Sequence, residues 1–159
     1  MKIIVVAGAH SGVGKTLYAE KLLRALPDWA ALKVTTVKRG GCPRGESGCE
    51  VCAGLKKDFE IVEDKRIIDQ AGRDTARLKK AGAKKVIWLK ATSKGLKSGL
   101  NKALAACKGL QGIVIEGTSV LKYIKPDLLI FVRGNNRNIR LSAKRVLKKA
   151  DIVISFIDK

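Results

Sequence analysis

Several residue types are scarce in this chain, and each scarcity excludes a class of protein. Aromatic residues make up only 4% of the 159 residues, which leaves few surfaces on which nucleic-acid bases can stack. No apolar stretch approaches the roughly 20 residues that a membrane-spanning helix needs, and no repeat period appears. The apolar start Met1–Ala9 is short and runs into a glycine-rich turn, so we interpret it as a strand rather than a signal peptide. We expect a single domain over 1–159, soluble and cytoplasmic, with no membrane partner.

Acidic residues are also scarce. The chain has 14 Asp and Glu against 33 Lys and Arg, for a formal net charge of +19. A heat-adapted surface rich in Lys would also carry abundant Glu, but Glu is scarce here. Positive charges in such excess repel one another unless an anion is often bound nearby. A nucleotide, a phosphorylated cofactor, nucleic acid or an acidic protein would each supply that anion.

Hydrophobic residues make up 46% of the chain, enough for a substantial core, and short apolar runs alternate with segments of helical periodicity. This alternation predicts an α/β fold of three layers around a mostly parallel sheet of about seven strands. The predicted strands are Lys2–Ala7, Leu32–Val37, Phe59–Val62, Lys85–Leu89, Gly112–Glu116, Asp127–Val132 and Asp151–Ile157. The predicted helices are Lys15–Leu26, one capped by Asp74 and Thr75 and reaching Ala81, one with an apolar stripe from Leu96 to Cys107, and one from Ile139 to Ala150.

A phosphate-binding loop follows the first predicted strand. The segment AHSGVGKT has the Walker A spacing, except that Ala9 stands where the first glycine is usual and Gly8 precedes it. The backbone N–H groups of such a loop point at phosphate oxygens, its lysine reaches the β- and γ-phosphates and its Thr hydroxyl binds Mg²⁺. An ordinary glycine turn would not require Gly-Lys-Thr at this offset. The expected nucleotide contacts are Ala9, His10, Ser11, Gly12, Val13, Gly14, Lys15 and Thr16.

A carboxylate for Mg²⁺ and for the catalytic water should lie where a strand ends. Glu116, after the apolar run Ile113–Ile115, is the first candidate and would act with Lys15 in catalysis; Asp64 is the second. Either acid could instead be a solvated loop residue. His10, the only histidine, either touches phosphate or faces solvent.

Recognition of the base is weakly encoded. The guanine-reading sequence Asn-Lys-x-Asp is absent. Asn135 and Asn136 follow a predicted strand and could hydrogen-bond a purine edge, although Asn beside Gly134 is equally a turn residue. GTP and ATP both remain open.

Three of the four cysteines lie in one loop. Cys42, Cys49 and Cys52 fall within the irregular stretch 39–57, a spacing that favours Zn²⁺ or an iron–sulfur cluster. A redox pair or free thiols are the alternatives. Cys107 lies on an apolar helical stripe, so we expect a buried core thiol there. The fourth ligand would then come from a second subunit or a water.

The chain resembles the molybdopterin-guanine dinucleotide biosynthesis protein B (MobB) family. The loop AHSGVGKT, the segment GRDTARLKKAGAKKV from Gly72 to Val86 and the strand IVIEG from Ile113 to Gly117 carry the resemblance. After the second strand the family has Ile-Lys-His, and this chain has Val37-Lys38-Arg39. The resemblance implies a SIMIBI-class P-loop fold, often dimeric. It also implies slow GTP hydrolysis and help in attaching a nucleotide to molybdopterin.

Three functions therefore stand before the structure is considered. The first is a weak Mg-dependent GTPase or ATPase that assists synthesis of a cofactor or metal centre, with a phosphorylated pterin or a biosynthetic partner protein as its client. The second is a small-molecule kinase, for which only 39–57 could serve as a lid. The third is a nucleic-acid-binding NTPase, suggested by the charge and opposed by the few aromatic residues.

Overall fold

The computed structural model describes residues 1–37, 55–134, 139 and 141–155, with backbone only at 141 and 142. The strands are β1 (Lys2–Gly8), β2 (Trp29–Thr36), β3 (Phe59–Val62), β4 (Lys85–Ala91), β5 (Gly112–Glu116), β6 (Leu128–Val132) and β7 (Ile152–Ile154). The helices are α1 (Lys15–Ala25), α2 (Lys65–Ile68), α3 (Asp74–Lys80), α4 (Leu96–Ala105) and α5 (Leu141–Leu147), with a 3₁₀ turn at Ser119–Lys122. None of these helices combines the length and apolar character that crossing a membrane requires.

The seven strands form one sheet in the order β3-β4-β2-β5-β1-β6-β7. All neighbouring pairs are parallel except β3 with β4, which is antiparallel. The predicted α/β fold with a mostly parallel sheet is confirmed. The carboxyl ends of six strands therefore meet at one edge of the sheet, which we call the carboxyl edge, and β3 runs away from it.

Helices cover both faces of the sheet, as the continuous apolar strands require. One core joins alternate strand residues to α4, the 3₁₀ turn and α5. The other joins the remaining strand residues to α1, α2 and α3. Cys107 is fully buried in the first core and burial raises the pKa of its thiol, in agreement with the predicted core position.

Among the predicted boundaries that differ from the structure, two concern elements beside the glycine-rich loop. β2 begins at Trp29 rather than Leu32, because Trp29, Ala30 and Ala31 already pair with β5 or β4. The helix expected to be capped by Asp74 and Thr75 instead begins at Asp74, after Arg73. Neither side chain caps it, since the Asp74 carboxylate accepts a hydrogen bond from Lys33 and the Thr75 hydroxyl donates to the carbonyl of Ile68.

Candidate functional site

The glycine-rich loop between β1 and α1 curls over the end of β1. Gly12 and Gly14 have φ angles of +79° and +92°, which residues with a Cβ seldom adopt. Gly8 lies beneath the loop, where a Cβ would be 2.6 Å from Cγ1 of Val13 and 2.9 Å from Cγ of Lys15. Gly8 thus provides the space for the loop to fold back, one residue before the expected glycine position.

Two residues expected to contact a nucleotide also support the loop. The Ala9 amide donates to the carbonyl of Val132 at 3.1 Å, which extends the sheet by one residue. Its methyl group is buried, and the Val13 side chain is buried in the core beneath α1. The Ala9 amide is therefore directed at β6, and Val13 can offer a ligand only its backbone.

Lys15 turns back across the loop that precedes it. Its Nζ donates to the backbone carbonyl of His10 at 2.8 Å. Burial lowers the pKa of Lys15, although the nearby Glu116 carboxylate opposes this shift. A partly desolvated ammonium inside a curled loop is a strong attractor for an anion, because a phosphate would offset the cost of removing the charge from water.

A continuous series of polar contacts, which we call the polar chain, begins beneath this loop and links Thr16, Glu116, Lys33 and Asp74. The Thr16 hydroxyl donates to Oε2 of Glu116 at 3.0 Å, and Nζ of Lys33 donates to Oε1 of Glu116 at 2.5 Å and to Oδ2 of Asp74 at 2.6 Å. Glu116 is only 3% exposed. The start of α1, the end of β5, the middle of β2 and the start of α3 are joined through one ammonium group, that of Lys33, whose side chain is 18% exposed.

Asp74 stays ionised because of these partners. Burial alone would raise the pKa of Asp74, but the charge of Lys33 and the hydrogen bond that Lys33 donates outweigh burial and lower it. Arg77 lies 3.9 Å from the same carboxylate and makes a two-pronged hydrogen bond to Glu20 of α1. The polar chain therefore returns to α1, and α1 and α3 are held together on this face.

Lys33 and Asp74 were not among the site residues expected from the sequence. Two signals were present: a lysine inside an otherwise apolar strand, and the Gly-x-Asp-Thr segment at Gly72–Thr75. Lys33 is the register partner of Glu116 on the neighbouring strand. That pairing depends on β2 lying beside β5, which the order of elements along the chain does not reveal.

Asp64 lies away from this site. It follows β3, which runs antiparallel to β4, so its end is at the opposite edge of the sheet from the loop. Its carboxylate accepts hydrogen bonds from the backbone and side chain of Arg66, which lower the pKa of Asp64. It caps α2, and this placement removes the reason for considering Asp64 as a Mg²⁺ ligand.

The other side of the loop faces the segment after β6. His10 Nδ1 lies 2.7 Å from the carbonyl of Ser11. A Cβ at Gly134 would lie 3.6 Å from Nε2 of His10, so this segment passes beside the loop. Asn135 and Asn136, which come next, lie outside the described residues, as do Cys42, Cys49 and Cys52.

The oxygen groups around the loop suit Mg²⁺ bound together with a nucleotide. Thr16 offers a hydroxyl, and Glu116 and Asp74 offer carboxylates, which are the hard oxygen ligands that Mg²⁺ prefers. No group of three or more His, Cys, Asp or Glu in the described parts of the chain could hold a metal by itself.

No protein-family model matches the chain, and no curated protein matches it. Among solved structures, the kinase domain of the Escherichia coli tyrosine kinase ETK is similar to it, with 13% sequence identity and a TM-score of 0.45. The match covers 96% of this chain and 64% of the ETK chain. The resemblance to the MobB family thus rests on the sequence motifs alone.

Replacing Lys33 by Met should destabilise the fold by about 3–5 kcal/mol, because the buried Glu116 carboxylate would be left without its cation. The difference in unfolding free energy between the variant and the parent should become smaller as pH falls below about 4. The folded-state pKa of Asp74 is lowered, so the stabilising charge of Asp74 in the parent is lost when its carboxylate is protonated. Urea denaturation across pH measures both effects.

A matched control is Lys2→Met, which removes an exposed ion pair with Asp127 at 3.4 Å and should cost less than about 1 kcal/mol. The double variant Lys33→Met/Glu116→Gln should be more stable than Lys33→Met, because it no longer buries an unpaired carboxylate. Equal effects of the two lysine substitutions would contradict the role given to Lys33.

Proposed function

We propose that this chain binds a nucleoside triphosphate with Mg²⁺ at residues 9–16, hydrolyses it slowly, and acts as an accessory factor in cofactor or metal-centre biosynthesis. The observation that carries the nucleotide proposal is the partly desolvated Lys15 inside a loop formed by two left-handed glycines. Its ammonium has a backbone carbonyl as its hydrogen-bond acceptor. A triphosphate would provide a charged acceptor at the same place.

The loop would hold the phosphates through its backbone N–H groups between Ser11 and Gly14 and through the amino terminus of α1. Lys15 would exchange the His10 carbonyl for phosphate oxygens. The Thr16 hydroxyl would bind Mg²⁺, oriented by Glu116, which accepts its hydrogen. The ion neutralises phosphate charge when bound.

Glu116 is the residue best placed to orient a water near the phosphates. Its two oxygens are used by Thr16 and Lys33, so it is held rigidly and its negative charge is partly neutralised. Arg77, the nearest arginine of the polar chain, is held by Glu20. We therefore infer that hydrolysis by the isolated chain is slow.

The biosynthetic role rests on the resemblance to the MobB family. On this proposal the nucleotide is GTP or ATP, the client is a phosphorylated pterin or a partner protein of the same pathway, and the protein is a homodimer. The excess of 19 positive charges suits an anionic client of this kind.

The cysteine loop extends the proposal to a second metal. We propose that Cys42, Cys49 and Cys52 bind Zn²⁺ or an iron–sulfur cluster, with the fourth ligand from a second subunit or water. The support is their spacing together with the basic residues around them, among them Arg44 and Lys56, which favour the thiolate form.

Lys15→Ala should weaken binding of ATP and GTP with Mg²⁺ at least about 100-fold, because it removes the charge-assisted contacts to the β- and γ-phosphates. Calorimetric titration measures this affinity. Lys21→Ala is the control, since Lys21 is on the same helix and lies over the Tyr18 ring. Parent-like affinity of the Lys15 variant would remove the nucleotide proposal.

Phosphate release by the isolated protein should be well below about 1 s⁻¹, the lower end of the range for kinases. Glu116→Gln should slow that release about tenfold or more while changing nucleotide affinity much less, because the amide cannot act as a base. Single-turnover assays separate the two effects. A variant that releases phosphate at the parent rate would assign the water to another group.

Substituting Cys49 and Cys52 by Ser should abolish metal bound after anaerobic purification, because two of three thiolate ligands are lost. It should also weaken the dimer if the site is shared between subunits. Elemental analysis and light scattering provide the readouts, with Cys107→Ala as the control at a buried thiol. Metal-free parent protein with titratable loop thiols would favour a redox pair.

A further inference from the structure

A cluster of basic residues around a tryptophan lies next to the polar chain, on the same face of the sheet. Its centre is the indole of Trp88, with the guanidinium of Arg73 at 5.5 Å and the ammonium of Lys90 at 4.4 Å from the ring centroid. The indole N–H donates to the Thr35 hydroxyl at 3.0 Å. We call Thr35, Arg73, Trp88 and Lys90 the indole cluster.

Sheet register places this cluster at the carboxyl edge. Trp88 is the register partner of Lys33, and Lys90 is the register partner of Thr35. These four residues therefore project from the same face of two adjacent strands. Arg73 directly precedes Asp74, so the polar chain that starts at Thr16 ends beside the indole cluster.

The charge of Lys90 is incompletely balanced. Its side chain is only 12% exposed, whereas its partner Glu60 is 45% exposed and 3.5 Å away. Within the described residues, Glu60 is the only carboxylate at ion-pair distance from Lys90. This long, half-exposed pair and the face of the Trp88 ring offset only part of the cost of covering an ammonium group.

The geometry also prepares donors for an oxygen anion. Because the Thr35 hydroxyl accepts from the indole, its own hydrogen points elsewhere and can be donated to a ligand. The Arg73 Nε donates to Gln70 Oε1, which orients the planar guanidinium. The carboxylates of the polar chain already have cationic partners. Asp74 pairs with Lys33 and Arg77, and Glu116 pairs with Lys33.

From these observations we propose that the indole cluster binds a phosphate or carboxylate group of a small molecule other than the nucleotide. Lys90 and Thr35 contact the anion, and Arg73 closes the site from the α3 side. Two cations and a hydroxyl group suit such an oxygen anion. The idea that this ligand is a second substrate beside the nucleotide rests on the proposed function. Binding of the anion itself does not depend on the proposed function.

The test uses Lys15→Ala protein, so that the loop contributes little to anion binding. Inorganic phosphate is titrated at constant ionic strength while the two indole N–H resonances are followed by NMR, with Trp88 assigned by its loss in Trp88→Phe. Trp29 is the internal control, because it pairs with Gly112 at the other edge of the sheet. Phosphate should shift the Trp88 resonance saturably and leave that of Trp29 in place.

Arg73→Gln and Lys90→Gln should each weaken phosphate binding about three- to tenfold, and the double variant more, because each removes a charged donor. Lys102→Gln is the matched control, since Lys102 lies 5.5 Å over the Phe59 ring in the other core. The indole cluster variants should bind Mg-nucleotide within about threefold of the parent when Lys15 is intact. A parallel titration with malonate identifies the group, phosphate or carboxylate, that binds more tightly.

Equal binding by the Arg73, Lys90 and Lys102 variants would overturn the proposal, as would a Trp88 resonance that does not move or moves together with that of Trp29. These outcomes are independent of the nucleotide site. If Lys15→Ala keeps full nucleotide affinity and the Trp88 shift is still seen, the proposed function fails and the anion site stands.

Discussion

A lysine ammonium shared by two carboxylates lies beneath the glycine-rich loop, and the geometry of the site depends on it. Lys33 lies in the middle of a parallel strand, where burying an unpaired charge would be very unfavourable, and Glu116 and Asp74 are each at hydrogen-bond distance from it. The same Glu116 orients the Thr16 hydroxyl at the start of α1. Without Lys33, the carboxylates of Glu116 and Asp74 would face each other as like charges, and the start of α3 would lose this link to the end of β5.

The loop itself follows from local backbone requirements. Two glycines adopt left-handed conformations and a third gives room beneath Val13 and Lys15. This arrangement explains why the alanine at position 9 is compatible with the curl of the loop. Ala9 continues the hydrogen bonding of β1 to β6, and the space that the curl requires comes from Gly8. The departure from the usual motif is thus at a residue that belongs to the sheet rather than to the curl.

Positive charge is concentrated along one line at the carboxyl edge. Lys15, Lys33, Arg73 and Lys90 follow one another from the loop to the indole of Trp88, and Lys33 pairs with the carboxylates of both Glu116 and Asp74. Lys15 and Lys90 lie at its two ends. Lys15 has a backbone carbonyl as its partner, and Lys90 has a half-exposed carboxylate at 3.5 Å. One charge-balanced lysine between two incompletely compensated ones is an arrangement suited to two anionic groups held side by side.

The sequence by itself determined the parts of this protein that depend on neighbouring residues. The loop from Ala9 to Thr16, the alternation of strands and helices, the buried Cys107 and the acid at the end of β5 could all be predicted, because spacing and periodicity act over a few residues. Only the tertiary structure decided that Lys33 meets both Glu116 and Asp74, that Asp64 lies at the far edge, and that Arg73 and Lys90 share one indole. These relations depend on the order and direction of strands in the sheet, and residues far apart in sequence become neighbours only when the strands pair.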